Sequence, residues 1–130
     1  MIVDASAVLA MLLKEPEEHA FADLIGECAD EVAISPVNYL EVALRIDRGN
    51  TPELSQALDP LLFHLGIGIA SVGPEQARLA REAYQRFGKG KHEAKLNLGD
   101  CFAYALARAR SEPLLFKGDD FRLTDVEAAV

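Results

Sequence analysis

Acidic side chains follow two of the short apolar runs in this sequence, at the points where the runs end. Asp4 comes directly after Ile2-Val3, and Asp119 and Asp120 come shortly after Leu114–Phe116. Each of them has an ordinary interpretation, because Asp caps helices and opens turns. If the runs are parallel strands, however, their carboxyl ends share one edge of a sheet, where open α/β proteins bind ligands. The positions therefore predict that these carboxylates lie near one another.

Glu41 interrupts the apolar stripe of the helix predicted over residues 36–48. The residues expected to share that stripe are apolar: Val37, Leu40 and Leu44. An unpaired buried carboxylate costs several kcal/mol, so the position indicates either a functional group or a salt bridge to Arg45 one turn later. A salt bridge suits an exposed surface better than this stripe, and we therefore predict a functional role for Glu41.

Asp100 stands at the start of the most apolar helix predicted, which contains residues 101–107. If Asn97 caps this helix, Asp100 occupies its third position, where a carboxylate bonds back to the cap and interacts favourably with the helix dipole. Capping is therefore a sufficient structural reason for this residue. A functional role depends on whether other carboxylates come close to it.

Convergence of the acidic residues would create a cation site. Helix N-termini adjoin the carboxyl ends of parallel strands, so Glu41 and Asp100 can meet Asp4 and the pair Asp119 and Asp120 in one cleft. Such a cluster repels itself unless protons or cations neutralise it. Oxygen ligands with no His or Cys nearby select Mg²⁺ or Mn²⁺ over zinc.

Alternating strands and helices must position this cleft. The runs that fit strands are Ile2-Val3, Val32–Ile34, Ile67–Ala70 and Leu114–Phe116. Prolines at first helical positions predict helices over 16–29, 36–48, 52–65 and 74–87. Pro60 is expected to kink or divide one of them. In the last, the stripe expected to face the sheet is Ala77, Ala80, Tyr84 and Phe87. The alternation predicts an α/β fold whose parallel sheet is covered on both faces.

Size and charge limit the class of protein. A chain of 130 residues, 50% of them hydrophobic, fits a single domain over residues 1–130. A net charge of −8 argues against a wholly basic surface for duplex binding. Residues 1–60 hold 3 basic and 12 acidic side chains, whereas residues 61–130 hold 10 and 9. The acidic N-terminus and the lack of a long apolar run predict a cytoplasmic protein that does not enter a membrane.

The densest positive patch lies in and beside Gly88–Gly99, a stretch with neither helical spacing nor strand character. We expect this stretch to be a mobile loop. Its basic side chains, with the one just before it, are Arg86, Lys89, Lys91 and Lys95. They are either a solvated surface or contacts for a polyanion.

Four segments occur in an order typical of one protein family. They are Met-Ile-Val-Asp-Ala-Ser-Ala at residues 1–7, Ser35-x-x-Asn38-x-x-Glu41, Asn97-Leu-Gly-Asp-Cys-Phe-Ala-Tyr-Ala105 and Phe116-Lys-Gly-Asp-Asp-Phe121. Together they resemble the PIN-domain ribonucleases, in particular the VapC toxins of type II toxin–antitoxin systems. The match spans nearly the whole chain, and its last two segments together are highly specific.

The resemblance implies a PIN-like three-layer α/β/α sandwich around a short, mainly parallel sheet of four to five strands. It also implies an endoribonuclease in which Mg²⁺, or Mn²⁺, activates a water for in-line attack on an RNA phosphodiester. Carried over by position, Asp4 and Asp100 are the primary ligands, and Glu41 with Asp120 completes the catalytic site directly or through water. Asp119 competes with Asp120 for the fourth place, and we prefer Asp120 because it precedes Phe121.

The resemblance implies further roles and partners. Ser6 and Asn38 would orient ligands or water, although helix capping and local backbone bonding explain them nearly as well. Arg86 and the three lysines of the basic stretch would contact RNA phosphates. The substrate would be a transfer RNA or another structured RNA. The partners would be a second copy of the chain and a VapB-like antitoxin that sends an Arg or Lys into the acidic site.

Three other kinds of protein are alternatives at this point. A phosphate-receiver domain also binds Mg²⁺ at a sheet edge, and Lys117 could stand for its lysine, but no Asp follows a mid-chain strand to accept a phosphoryl group. A phosphatase-like domain would need a second Asp at position 6, where this chain has Ser. A non-enzymatic module, in which the carboxylates only cap helices, is the remaining alternative.

Overall fold

The computed structural model describes residues 1–130. Its elements, in chain order, are β1 (Ile2–Val3), α1 (Ala5–Leu12), α2 (Glu18–Glu27), β2 (Val32–Ile34), α3 (Pro36–Asp47), α4 (Pro52–Leu65), β3 (Ile67–Ile69), α5 (Pro74–Phe87), α6 (Leu98–Arg110), β4 (Leu114–Leu115) and a 3₁₀ turn (Asp120–Leu123). The four strands pair in parallel in the order β3-β2-β1-β4. All four strands predicted from the sequence are therefore present.

Two apolar cores lie on opposite faces of the sheet. Successive strand residues point to opposite faces, so Val3 packs with α1–α4 while Ile2 packs with α5 and α6. The sheet is thus the middle layer of three. The predicted three-layer α/β/α architecture with a short parallel sheet is confirmed, with four strands.

Proline places the helix starts well but not in every case. α3, α4 and α5 begin at Pro36, Pro52 and Pro74, as predicted. Pro16 lies before α2, which begins at Glu18, so this start was placed too early. Pro60 was expected to kink or divide its helix, and it does not divide it: α4 continues through Pro60, because the burial of its apolar face outweighs the loss of one backbone donor.

Two helices are rotated from the predicted orientation. In α3 the side chains that face the core are Asn38, Val42 and Ile46, while Leu40 and Leu44 are 54% and 55% exposed. The apolar stripe assigned to this helix was therefore wrong. In α5 the buried residues are Ala80, Ala83 and Phe87, and Ala77 and Tyr84 are exposed. Apolar residues occur on two faces of each helix, and the position of the neighbouring elements decides which face is buried.

The basic stretch before α6 forms neither a helix nor one of the four strands, as predicted, but backbone hydrogen bonds fasten it to the end of α5. The Leu96 N–H donates to the carbonyl of Phe87 at 3.0 Å, and the Lys89 N–H donates to the carbonyl of Leu96 at 3.0 Å. Ala94 and Leu96 are fully buried against α5 and α6. These two apolar side chains, which the surrounding lysines obscured, anchor the segment. No helix of the chain combines the length and the apolar character needed to span a membrane.

Candidate functional site

Asp4 lies at the junction of β1 and α1, and its two carboxylate oxygens have different surroundings. Its Oδ2 accepts a hydrogen bond from the Ser6 N–H at 3.0 Å and so caps α1. Its Oδ1 is buried and has no hydrogen-bond donor. Burial raises the pKa of this carboxyl group above its ordinary value, although the bonds from Ser6 oppose the shift. Capping therefore uses one oxygen and leaves the other free.

At the start of α6, Asp100 likewise uses one carboxylate oxygen for capping and leaves the other free. Its Oδ2 accepts from the Asn97 N–H at 3.0 Å, and the Asp100 N–H donates to Asn97 Oδ1 at 2.9 Å, which completes a capping box. The predicted cap is confirmed, and Oδ1 of Asp100 takes no part in it. Burial, followed by the charges of Asp4, Glu41 and Asp120, raises the pKa of Asp100 to about 7.

Glu41 is held against the first turn of α6. Asn38, which is fully buried, donates from Nδ2 to Glu41 Oε1 at 3.2 Å and to the Gly99 carbonyl at 2.9 Å. The salt bridge to Arg45 considered from the sequence is not formed. A Cβ atom at position 99 would lie 2.5 Å from both Glu41 oxygens, so the glycine makes this close approach possible. Burial and the charge of Asp4 raise the pKa of Glu41.

One cavity of about 550 Å³ receives these three carboxylates. It is lined by Asp4, Ala5, Ser6, Leu9, Glu41, Leu44, Arg45, Arg48 and Asp100. The acidic residues come from the end of β1, from α3 and from the N-terminus of α6, which are far apart in sequence. Their mutual repulsion contributes to the raised pKa of Asp100 and of Glu41. The convergence predicted for these three residues is therefore what the structure shows.

Asp120 and Asp119 lie outside the lining of this cavity, both exposed at the 3₁₀ turn after β4. They differ in their influence on it. The charge of Asp120 raises the pKa of Asp100, whereas Asp119 has no such effect. Of the two adjacent residues, Asp120 is thus the one electrostatically connected to the site.

Ser6 joins the end of β4 to the site. Its Oγ accepts a hydrogen bond from the Lys117 N–H at 2.9 Å, so the turn that carries Asp120 is tied to α1. The Lys117 ammonium lies 2.6 Å from Glu15 and 3.3 Å from Glu17. Because it is paired there, it does not serve the carboxylates as the lysine of a receiver domain would. The strand order also differs from the receiver arrangement.

The donor set fits a hard divalent cation. A buried carboxylate oxygen without a donor, as at Asp4, is costly unless a proton or a cation neutralises it. The neighbouring groups are also oxygen donors, which suit Mg²⁺ or Mn²⁺. The side chains do not converge tightly, since no three His, Cys, Asp or Glu residues are close enough together to hold an ion. Side-chain rotations of Glu41 and Asp100 would have to accompany binding.

The basic residues predicted to contact RNA differ in their surroundings. Arg86 is already engaged, because it pairs with Asp125 at 3.2 Å and stacks on the ring of Phe87. Lys89, Lys91 and Lys95 are exposed on the anchored segment that leads into α6. None of these four lines the cavity of the carboxylates.

Sequence reasoning missed three residues of the site. The sequence motifs predicted no role for Gly99 or Arg48, and they predicted Arg45 only as a possible salt-bridge partner of Glu41. A glycine in the first turn of an otherwise alanine-rich helix is a signal for close approach of another group. The spacing of Arg45 and Arg48 from Glu41 could have placed both arginines on its face of the helix.

Comparisons with known proteins agree with this geometry. The PIN domain sequence profile matches residues 1–127. The chain is 46% identical over 131 residues to "VapC ribonuclease Mb0625" of Mycobacterium bovis and to "Ribonuclease VapC28" of Mycobacterium tuberculosis, covering 100% of this chain and 98% of each relative.

Solved structures share the fold. The crystal structure of Mycobacterium tuberculosis VapC20, described as a Sarcin-Ricin loop cleaving toxin, superposes with a TM-score of 0.76 at 15% identity, over 96% of this chain and 95% of that one. VapBC2 from Rickettsia felis, bound to a DNA fragment from its promoter, gives 0.78 at 15% identity, over 98% and 95%. The resemblance inferred from the sequence motifs is confirmed: the chain belongs to the PIN-domain family and, within it, to the VapC ribonucleases.

Proposed function

We propose that this protein is an endoribonuclease toxin that depends on Mg²⁺ or Mn²⁺. The observation that carries the proposal is the shared cavity of Asp4, Glu41 and Asp100. Two of these residues cap helices with one oxygen and keep the other free, so capping alone does not account for them. The relatives of highest similarity quoted above are named ribonucleases, which supports RNA as the substrate.

Asp4 and Asp100 would hold the ion through their free oxygens, together with Glu41. Asp120 would act from the edge of the site, directly or through water, and Asp119 would remain outside it. A bound divalent ion would activate a water for attack on the phosphodiester and stabilise the charge that develops on the phosphate.

The surrounding groups hold each carboxylate at the cavity by a hydrogen bond to one of its oxygens. Asn38 fixes Glu41 and fastens α3 to α6, and Asn97 fixes Asp100. The Ser6 N–H fixes Asp4, and its hydroxyl accepts from the Lys117 N–H in the segment that leads to Asp120. The raised pKa of Asp100, about 7, means that a cation must compete with a proton for this site near neutral pH.

RNA binding and partners complete the proposal. Lys89, Lys91 and Lys95 would contact phosphates from the segment before α6, whereas Arg86 would first have to leave Asp125. A VapB-like antitoxin would place a cationic side chain among the carboxylates. The VapBC2 assembly among the structural neighbours supports a protein partner of this kind. A homodimer, a single domain over residues 1–130, a structured RNA substrate and a cytoplasmic location also belong to the proposal.

Cleavage of RNA by the purified protein tests the function. Total RNA is incubated with Mg²⁺, with Mn²⁺ or with excess chelator, and new 5′ ends are mapped by sequencing. We expect specific cleavage with metal and none with chelator, and loss of cleavage in Asp4→Asn and Asp100→Asn, whose amides still cap helices. Asp30→Asn, at an exposed position away from the cavity, is the matched control. Cleavage that persists in excess chelator would refute the proposal.

A further inference from the structure

Two arginines line the same cavity as the carboxylates. Arg45 and Arg48 follow Glu41 by four and seven residues at the C-terminal end of α3, so the three side chains lie on one face of the helix. The rise of an α-helix places them about 6 Å and about 10 Å beyond Glu41 along the axis. They are therefore one and two helical turns from the acidic centre.

Neither guanidinium group is paired within the protein. The ion pairs of the structure involve other cations, namely the N-terminus, Arg86, Arg108 and Lys117. Glu41, the obvious partner of Arg45, is instead bonded to Asn38. A favourable interaction with the helix dipole accounts for a basic residue in the last turn of α3. It does not account for two free guanidinium groups on the wall of an acidic cavity.

We propose that Arg45 and Arg48 bind backbone phosphates of the RNA strand adjacent to the phosphate that is cleaved. This inference rests on the proposed ribonuclease function, because the carboxylates then fix where the cleaved phosphate lies. The neighbouring phosphates of the same strand lie one nucleotide to either side of that point. Arg45 and Arg48 are the only cations that line the cavity, and guanidinium groups bind phosphate oxygens in a bidentate manner.

The charge arrangement favours a polyanion over a protein segment as the occupant. Three carboxylates repel a phosphate chain, and two guanidinium groups one and two turns away offset that repulsion for the flanking phosphates. The two guanidinium groups would repel the cation that a protein segment brings to the carboxylates. Leu44, which lines the same cavity and is 55% exposed, also offers apolar surface to a base.

RNA binding and its salt dependence test this inference. All proteins carry Asp4→Asn, so that the RNA is bound and not cleaved, and the probe is a short fluorescein-labelled RNA of randomised sequence followed by anisotropy. Arg45→Ala with Arg48→Ala should weaken binding about tenfold for each arginine. The slope of log K against log salt should fall by about 0.7 for each lost phosphate contact. Arg45→Lys with Arg48→Lys should retain most of the slope, since it retains the charge.

The matched control removes the same charge elsewhere. Arg78→Ala with Arg110→Ala changes two exposed arginines of α5 and α6 that do not line the cavity, and should leave the salt slope unchanged. With Asp4 restored, the Arg45 and Arg48 alanine variant should cleave RNA with a kcat/KM lower by the same factor as its binding. Thermal melting confirms that each variant is folded.

The outcomes separate this inference from the proposed function. If the protein with Asp4 cleaves RNA but the Arg45 and Arg48 alanine variant binds and cleaves as the control does, the inference is wrong and the function stands. If that variant keeps RNA binding and loses only the capture of a protein partner, the arginines belong to the partner surface and the inference is also wrong. If no RNA is cleaved with either metal, the function fails, and an unchanged salt slope in the binding assay would independently overturn the role of the arginines.

Discussion

Replacement of Gly99 by Ala should impair catalysis without impairing folding. The new Cβ would stand 2.5 Å from both carboxylate oxygens of Glu41 and 2.7 Å from its Cδ. Ordinary contacts are about 3.5 Å long, so the carboxylate has to withdraw by about 1 Å. A displacement of about 1 Å at a catalytic group costs on the order of 100-fold in rate. The flexible end of Glu41 moves more easily than the backbone of α6, and Ala stabilises a helix by about 0.5–1 kcal/mol relative to Gly.

We therefore expect Gly99→Ala to lower kcat/KM for RNA cleavage about 100-fold while the melting temperature stays the same or rises. Gly26→Ala is the matched control, because Gly26 lies in α2 with nothing within 4 Å of the added atom. It should leave cleavage unchanged. If Gly99 acts through Glu41, Gly99→Ala should cost little more in a Glu41→Gln background. Full activity in Gly99→Ala, or full additivity with Glu41→Gln, would refute the reasoning.

Three other outcomes are expected. The pKa of Asp100 is raised from 3.8 to about 7, so the folded state binds a proton more tightly than the unfolded state, and this group's stabilisation is lost as the pH rises from about 4 to about 7. With chelator present, the unfolding free energy of Asp100→Asn should vary with pH by about 1–2 kcal/mol less than that of the unmodified protein, a figure reduced for solvent screening. Identical plots of unfolding free energy against pH for the two proteins would contradict this. Asp120→Asn should lower the pKa of Asp100 and reduce cleavage, whereas Asp119→Asn should do neither. NMR titration of the Asp100 carboxyl carbon measures the pKa. Equal effects of the two substitutions would show that the assignment of Asp120 is wrong. Leu96→Ala should destabilise the protein by about 2–5 kcal/mol in urea unfolding, because Leu96 is fully buried; a loss below about 1 kcal/mol would mean that the basic segment is not anchored as described.

Much of the fold follows from local signals in the sequence. The four strands form where the sequence has short apolar runs, because a sheet that is buried on both faces needs apolar residues on both sides of each strand. Proline and Gly66, which has a left-handed backbone, set both ends of α4. The capping box of Asn97 and Asp100 was likewise readable, since it depends only on residues three apart.

Features that depend on distant residues were not readable in the same way. The rotation of α3 depends on how it packs against α1, α4 and α6, and this places Leu40 in solvent and Asn38 in the core. The bond from Asn38 to the Gly99 carbonyl joins residues 61 positions apart, and no local pattern signals it. The anchoring of the basic segment depends on Ala94 and Leu96 finding a cavity between two helices. Local chemistry therefore predicted the strands, most helix starts and the cap of α6, and packing decided what the site residues contact.

Asp4 and Asp100 each cap a helix with one oxygen and keep the other for the proposed cation, and this affects the protein when no cation is bound. Each carboxylate is bonded to a helix start through one oxygen, so it stays at the cavity without a cation and has only to rotate to bind one. Removal of the ion should therefore change the charge of the pocket far more than its shape. Preorganised ligands lose little conformational freedom on binding, which favours rapid and reversible loading. A protein stripped by dialysis should recover its full activity on simple addition of the cation, with no refolding step.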